Sequence, residues 1–323
     1  MSARLPQCRP FRRSFREAAI LVGGLALGSA LAEAALAADA GLGGACGVSR
    51  IGEITVATLR NAPIVTLSAN GRAITLLLDT GAEWTILTPA AAKRVGAQTP
   101  RIEFQRQMRG IGANLATNEV ELHEFAAGGV DIPWRRVRVA AVNMPSVFSG
   151  PLDGVLGADT LSSFDVDLDL PHHRMVFYAK QSCTSARPAW AEPYAAIAAR
   201  RSFSNHLAFT AALDGRQIDT FIDTGAQLSV LSRRVAEALG VTETALARDR
   251  ATVTLGAAAE RLNTRLHRFA RMEVGGELVR NPELIVADVA LRDADLVLGV
   301  DFLASRRVWL SYGSQQVFLS RGG

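Results

Sequence analysis

Two acidic residues of the chain stand in the same four-residue context. Asp79 opens the sequence Asp-Thr-Gly-Ala, and Asp223 opens a second copy of it. Two carboxylates held a few ångströms apart cannot both ionise cheaply, so such a pair keeps one proton and titrates as a unit. The ionised carboxylate can take a proton from water, while the protonated one polarises a carbonyl and later protonates a leaving amine. If the fold brings the two acids together, they can hydrolyse an amide without a covalent intermediate, a metal or a cofactor.

Each acid follows two strand patterns that are joined by a two-residue turn. The turns are Asn70-Gly71 and Asp214-Gly215, and each begins nine positions before its Asp. Asn-Gly and Asp-Gly are strong hairpin signals, because both central residues of such a turn need a positive φ. The strands predicted on either side of the turns cover residues 64–69, 73–78, 207–213 and 217–222.

Helical patterns and closing strand patterns also occur once in each copy. Glycine commonly ends a helix, and Gly96 and Gly240 end the two helical patterns. Period-2 alternation then predicts a hairpin at the end of each copy. The predicted helices cover residues 89–95 and 232–239, and the closing hairpins cover residues 165–178 and 307–319.

A Leu-Gly-x-Asp-x-Leu motif supports the interpretation as a duplication. Its glycine is Gly157 in the first copy, 78 positions after the acid, and Gly299 in the second, 76 positions after the acid. The 323 residues, 49% of them hydrophobic, suffice for two such units. We predict a mostly β architecture with one short helix per half. The predicted boundaries are 46–180 for the first lobe, 181–201 for a linker and 202–323 for the second lobe.

Residues 1–37 have the pattern of an export signal peptide. Five arginines precede an apolar run at 18–32, and small residues at 35–37 suit cleavage. Because these residues hold five arginines against two glutamates, most of the net charge of +4 belongs to the leader and does not indicate nucleic acid. Arg12-Arg13 resembles the twin-arginine export motif, and both this route and the general one stay open. We expect a periplasmic or secreted protein without membrane attachment after signal removal, with an uncleaved anchor as the alternative.

Removal of the leader would leave two cysteines, Cys46 and Cys183. An oxidising compartment would let them pair, and two unpaired thiols are the alternative. A disulfide closing so long a loop would contribute roughly 4 to 5 kcal/mol in the chain-entropy model.

The duplicated Asp-Thr-Gly-Ala, together with Leu-Gly-x-Asp-x-Leu, resembles the retropepsin- and pepsin-like aspartic peptidases, and especially bacterial retropepsin-like proteins. The resemblance extends over about residues 60–320. It implies a bilobal acid-protease fold of two tandem retropepsin-like β-barrel lobes. It also implies an aspartic endopeptidase that cleaves polypeptide substrates as a monomer, with Asp79 and Asp223 as its catalytic residues and no cofactor or metal.

The resemblance also implies supporting roles for the residues beside the two acids. Each Thr should reach across to the opposite loop, and each Gly should let the backbone approach the carboxylates closely. The Ala that follows withholds a hydroxyl that would favour the ionised acid, which implies a pH optimum milder than that of the gastric type. Gly157 and Gly299 should support the loops from beneath, with an ordinary tight turn as the alternative. The residues beside the acids are Thr80, Gly81, Ala82, Thr224, Gly225 and Ala226.

Substrate-covering flaps are expected between each triplet and its Gly motif. The first candidate is Gly110-Ile111-Gly112, which begins 31 positions after Asp79. The second is Gly256, which lies 33 positions after its acid. Ordinary β-turns are the alternative at both places. Two flaps would be retropepsin-like, whereas one would be pepsin-like.

Two pairs of residues raise alternatives to this interpretation. Asp159 and Asp301, in the Gly motifs, are interpreted as helix N-caps rather than as catalytic acids. Glu83 and Trp84 depart from the family pattern and favour a rival hypothesis, in which the chain is a peptide-binding pseudoenzyme of the same fold. Hydrogen-bond contact between the two catalytic carboxylates would favour catalysis, and a wider separation would favour binding.

The remaining alternatives concern metals and oligomers. His172-His173 falls at a hairpin turn without a matching Cys or carboxylate cluster, so we interpret the pair as solvent-exposed rather than as a metal site. A dimer in which each lobe pairs with a lobe of another chain is the alternative to the monomer.

Overall fold

A computed structural model of the chain describes residues 47–100, 106–109, 114–140, 152–255, 261–291 and 293–322. Within these ranges the fold is mostly β, with 25 strands and five short α-helices. The expected leader at 1–37 lies outside them. Among the helices described, none is long and apolar enough to cross a membrane.

The first half contributes the first twelve of the strands described and two of the helices. Its strands are β1 (Arg50–Leu59), β2 (Ala62–Ala69), β3 (Arg72–Leu78), β4 (Ile86–Leu87), β5 (Arg106–Arg109), β6 (Asn114–Glu121), β7 (Phe125–Ala127), β8 (Val130–Asp131), β9 (Arg136–Val139), β10 (Gly154–Leu156), β11 (Asp165–Asp169) and β12 (Arg174–Tyr178). Its helices are α1 (Pro89–Val95) and α2 (Ala158–Leu161), and a 3₁₀ turn covers Leu170–His172.

The second half repeats this order from β13 onwards. Its strands are β13 (Tyr194–Ala198), β14 (Arg200–Arg201), β15 (Leu207–Leu213), β16 (Arg216–Ile222), β17 (Val230–Ser232), β18 (Arg250–Leu255), β19 (Arg261–Arg268), β20 (Arg271–Val274), β21 (Glu277–Arg280), β22 (Glu283–Ala287), β23 (Leu296–Leu298), β24 (Arg307–Ser311) and β25 (Gln316–Ser320). Its helices are α3 (Arg233–Ala238), α4 (Glu243–Arg248) and α5 (Val300–Leu303).

The hairpins predicted before the two acids are confirmed. β2 pairs antiparallel with β3, and β15 pairs antiparallel with β16. Both central residues of each turn have positive φ, at 50° and 72° for Asn70 and Gly71 and at 48° and 88° for Asp214 and Gly215. These values match the turn that Asn-Gly and Asp-Gly favour, so local chemistry sets the register of the strands that lead into the acids.

The strand of each Gly motif inserts beside the strand that carries an acid. β10 runs parallel to β3, with Leu156 opposite Leu78, and antiparallel to β4. In the second half β23 runs parallel to β16, with Leu298 opposite Ile222, and antiparallel to β17. The two nearly equal spacings in the sequence therefore reflect one strand crossing that occurs in both halves.

The closing hairpins of the two halves join into one sheet. The strand order at this place is β13-β25-β24-β11-β12-β1, so strands of the second half continue directly into strands of the first. The junction is the antiparallel pair of β11 and β24, with Asp167 opposite Trp309 and Asp169 opposite Arg307. We call these six strands the platform.

The predicted linker is shorter than expected. β13 pairs with β25 from Tyr194 opposite Ser320 to Ala198 opposite Gln316, so residues 194–198 belong to the platform. The alanines of this segment favour a helix in isolation, but a strand gives partners to the backbone groups that β25 would otherwise leave unpaired. The expectation of one helix per half was also too low for the described residues, because the Gly motif begins a further helix in each half and α4 adds another in the second.

One large apolar core runs through both halves, and a smaller cluster lies near each acid. The first-half cluster consists of Ala62, Leu77, Ile86, Ala140, Leu152 and Val155. The second-half cluster consists of Phe221, Val230, Ile285, Ala287 and Val297. Leu77 and Phe221 occupy equivalent positions, two residues before Asp79 and Asp223. The two clusters therefore flank the place where the acids stand.

Candidate active site

The threonines of the two triplets hold the two halves against each other. The Thr80 hydroxyl donates to the carbonyl oxygen of Ile222 at 2.7 Å and accepts from the Thr224 amide at 3.1 Å. The Thr224 hydroxyl donates to the carbonyl oxygen of Leu78 at 2.7 Å and accepts from the Thr80 amide at 3.0 Å. Both side chains are buried. Four hydrogen bonds between groups that water does not reach thus fix the loop of one acid to the loop of the other.

Backbone amides orient both carboxylates in the same way. In each half, one carboxylate oxygen accepts from the N–H groups of the second and third residues after the acid. The four distances lie between 2.8 and 3.2 Å. The donors are Gly81 and Ala82 for Asp79, and Gly225 and Ala226 for Asp223.

The glycines of the triplets are required by close approach. A Cβ at Gly81 would overlap the carboxyl group of Asp223, and a Cβ at Gly225 would overlap that of Asp79. Each carboxyl group therefore lies directly against the backbone of the opposite triplet. Any side chain at either position would push the two acids apart.

The two carboxyl groups are hydrogen-bonded to each other. Burial, the charge of Asp223 and this hydrogen bond raise the pKa of Asp79 well above its ordinary range. Burial also raises the pKa of Asp223, although its hydrogen bonds oppose the rise. The pair consequently keeps a proton to a higher pH than an isolated carboxyl group would, which is the condition for one acid and one base in a single site.

The Gly motif supports each loop through a hydroxyl residue. The Thr85 hydroxyl donates to Asp159 at 2.7 Å and accepts from the Gly157 amide at 3.0 Å. A Cβ at Gly157 would lie 2.5 Å from the carbonyl carbon of Trp84. The motif is therefore packed directly under the loop that follows Asp79.

The second half uses the same contacts with a serine. The Ser229 hydroxyl donates to Asp301 at 2.8 Å and accepts from the Gly299 amide at 3.0 Å. A Cβ at Gly299 would lie 2.7 Å from the carbonyl oxygen of Ala226. Glycine is thus the residue that lets this strand approach the loop in both halves.

The interpretation of Asp159 and Asp301 as helix N-caps was wrong. Gly157 and Gly299 occupy the N-cap positions of α2 and α5, and the acids lie inside the first turn. Both carboxylates instead accept from the hydroxyl of the loop after the triplet, a partner 72 or 74 positions away that no local pattern reveals. Burial raises the pKa of Asp159 to about 6, while its mirror Asp301 is exposed.

Trp84 does not separate the two acids. Its side chain packs on the first-half cluster, and the guanidinium of Arg138 lies over its ring at 4.4 Å. The bulky residue is thus accommodated by a cation–π contact beside the site. Trp84, one of the two residues that favoured the rival hypothesis, leaves the contact between the carboxylates intact.

The flap candidates fall on two equivalent hairpins. β5 pairs with β6, and β6 also pairs with β9. In the same way β18 pairs with β19, and β19 also pairs with β22. The expected tips, Gly110-Ile111-Gly112 and Gly256, lie outside the described residues. Their role as flaps stays a prediction.

His206 is a residue near the site that the sequence patterns did not indicate. Its ring is buried and stacks on Phe221, with centroids 4.4 Å apart and an interplanar angle of 17°. The charge of Asp223 acts on it. A position-by-position comparison of the two halves could have indicated this residue. His206 lies 17 positions before Asp223, and the residue 17 positions before Asp79 is Ala62.

The other candidate residues lie away from the acids. Cys183 is disulfide-bonded. Cys8 and Cys46 both lie outside the described residues, so the pairing with Cys46 stays a prediction. His172 is largely exposed, with Nδ1 at 2.7 Å from Asp169. Within the described ranges, no group of three His, Cys, Asp or Glu side chains is arranged to hold a metal ion.

Comparisons with known proteins match this description half by half. The family described as "aspartyl protease" matches residues 65–160, and the family described as "gag-polyprotein putative aspartyl protease" matches residues 209–305. A search of curated proteins gave no match. The crystal structure of an aspartic proteinase from Irpex lacteus is similar in fold, with a TM-score of 0.52 and 12% identity over 84% of this chain and 97% of that one. With one aspartyl protease match in each half of this two-lobed fold, the chain belongs to the pepsin- and retropepsin-like aspartic peptidases.

Proposed function

We propose that the protein is an aspartic endopeptidase whose catalytic residues are Asp79 and Asp223. The observation that carries the proposal is the hydrogen-bonded pair of carboxyl groups, one from each half, with raised pKa values. The crossed threonines and the four backbone amides hold this pair in place before any substrate arrives. Such preorganisation is what proton transfer in a hydrolytic step requires.

The reaction follows from a pair of acids that shares one proton. The ionised carboxylate takes a proton from a water molecule as the water oxygen bonds to the peptide carbonyl carbon. The protonated carboxyl group gives its proton to the carbonyl oxygen, so a neutral tetrahedral diol forms. The carbon–nitrogen bond then breaks, the nitrogen takes a proton from the pair, and a hydroxyl proton of the diol restores the shared proton.

The rival hypothesis, a peptide-binding pseudoenzyme, is less consistent with this site. Binding of an extended peptide relies on strand pairing and side-chain pockets, neither of which needs two acids in contact. Burial of two carboxyl groups is costly, and catalysis gives a reason for that cost.

Two single substitutions, Asp79→Asn and Asp223→Asn, separate the two hypotheses. Each is tested in the purified chain with an unfolded polypeptide as substrate. We expect each variant to lower kcat/KM by about a thousandfold or more, because general acid–base catalysis contributes on this scale. The matched control is Asp131→Asn, which removes an exposed carboxylate that pairs with Arg135. Cleavage by both dyad variants at the control rate would contradict the proposal, and peptide binding without cleavage by the unmodified chain would establish the rival.

We also propose that the enzyme acts as a monomer in the periplasm or outside the cell. The leader pattern at 1–37 and the disulfide at Cys183 support export, because disulfides persist in oxidising compartments. Both catalytic acids belong to one chain, which supports the monomer. Cell fractionation with and without residues 1–37, followed by sizing of the exported protein, tests the location and the oligomeric state.

A further inference from the structure

One of the positions at which the two halves differ places a histidine near the acids in the second half only. His206 and Ala62 each lie 17 residues before their Asp. In the first half Ala62 and Leu77 belong to the same apolar cluster. In the second half the imidazole of His206 stacks on Phe221. Asp223 is thus influenced by a titratable side chain from a position that holds alanine in the first half.

The ring nitrogens of His206 are buried and make no well-aligned hydrogen bond, although Asp293 and the backbone of Gly81 lie near them. Its side chain is 5% exposed, and neither ring nitrogen has a partner in hydrogen-bonding geometry. Oδ2 of Asp293 lies 3.5 Å from Nδ1, and this oxygen is itself buried without a hydrogen-bond partner. A buried polar group left in this state is costly, so its retention calls for an explanation in function.

The groups that face the ring all favour its charged form. The carboxylates of Asp223, Asp293 and Glu83 act on it, and so does the backbone of Gly81. Burial nevertheless lowers the pKa of His206 below its ordinary value, so the ring is neutral at neutral pH and gains its proton in the acidic range. An imidazolium formed there would lie 3.5 Å from Asp293 and within reach of the charge of Asp223.

We propose that His206 is a positioning residue that makes Asp223 the ionised member of the dyad and Asp79 the protonated one. The assignment rests on the proposed function, because it distributes the acid and base roles of that reaction. A positive charge beside one carboxyl group favours loss of the proton from that group. Since the mirror position holds Ala62, no second imidazolium there opposes this bias toward ionisation of Asp223.

The inference predicts which limb of the pH profile depends on His206. The imidazolium exists only in the acidic range, and the acidic limb of the profile is the step in which the dyad passes from two protons to one. Its removal therefore raises the lower apparent pKa of the dyad and moves the acidic limb of kcat/KM to higher pH. The alkaline limb, where the ring is already neutral, keeps its position.

His206→Ala and His206→Gln, compared with the unmodified chain, test this inference. The alanine variant carries the side chain that the first half has at the mirror position, where it packs in the apolar cluster of that half. The matched control is His267→Gln, which breaks another histidine–aspartate contact of the second half, to Asp249 at 2.7 Å. We expect both His206 variants to shift the acidic limb upward by about one pH unit, the lower end of what a neighbouring charge does, while the control leaves it in place.

A titration that does not depend on cleavage separates this inference from the proposed function. Carboxyl carbon NMR of the labelled chain follows the two acids directly, and Asp223 should ionise before Asp79. In His206→Ala the two titrations should move closer together. Coincident curves for the variant and the unmodified chain, or earlier ionisation of Asp79, would overturn the role of His206 whether or not the protein cleaves peptides. Asp223 ionising first in a chain that cleaves nothing would refute the proposed function alone.

Discussion

Replacement of Arg307 by Met is expected to destabilise the junction of the two halves severely. Arg307 on β24 donates through Nε and Nη2 to Asp167 on β11, at 2.9 and 2.7 Å. The Asp167 side chain is fully buried, and its other described donor is the Trp190 indole at 3.1 Å. The substitution would therefore leave a buried carboxylate with most of its charge compensation removed.

The magnitude follows from the bonds that are lost. Hydrogen bonds to charged groups contribute about 1.5 to 3 kcal/mol each, and removal of one partner from a buried pair costs about 3 to 5 kcal/mol. We expect the free energy of unfolding to fall by about 4 kcal/mol. That is a large share of the 5 to 15 kcal/mol that typically stabilises a folded protein.

Urea unfolding at neutral pH, followed by tryptophan fluorescence, provides the measurement. The paired variant Asp167→Leu with Arg307→Met removes both charges and should recover most of the loss, because an apolar pair can replace a buried ion pair. A loss below about 1 kcal/mol for Arg307→Met, as for an exposed ion pair, would refute the reasoning. So would a double variant no more stable than the single one.

Three further predictions concern the site, its support and the disulfide. Gly225→Ala should lower kcat/KM by about a hundredfold or more, because its Cβ overlaps the carboxyl group of Asp79, whereas Gly47→Ala, with open space around it, should not. The pKa of Asp159 is raised to about 6, so its contribution to the free energy of unfolding is full below about pH 4 and is lost as the pH rises through 6. The expected fall is of order 3 kcal/mol. Urea unfolding measured across this pH range should show the fall in the unmodified chain and not in Asp159→Asn. Thiol labelling of the denatured, exported protein should find no free cysteine before reduction, and a labelled Cys183 would contradict the predicted pairing with Cys46.

Local patterns sufficed for the parts of the fold that neighbouring residues determine. The turn at Asn70-Gly71 and the helix that ends at Gly96 follow from backbone preferences of the residues themselves. The duplication also indicated that the two acids belong to equivalent loops. Contact between those loops was implied only by the family resemblance, since no spacing within one half determines how the halves meet.

The features that were missed depend on contacts between distant residues. Asp159 accepts from Thr85, and β13 pairs with β25 more than a hundred positions away. His206 has no motif around it, and its significance arises from the absence of a histidine at the mirror position. A lone residue acquires meaning only when the two halves are compared position by position.

The crossed threonines have a consequence for how the two halves of this chain can diverge. Each hydroxyl holds a backbone carbonyl of the other half, so a change in one triplet disturbs the carboxylate of its twin as well as its own. A substitution in either triplet should therefore disturb both halves of the site at once, and a repair confined to the mutated half should not restore it. Ala62 and His206 take no part in these cross-bonds, so the residue at either position can be exchanged without breaking them.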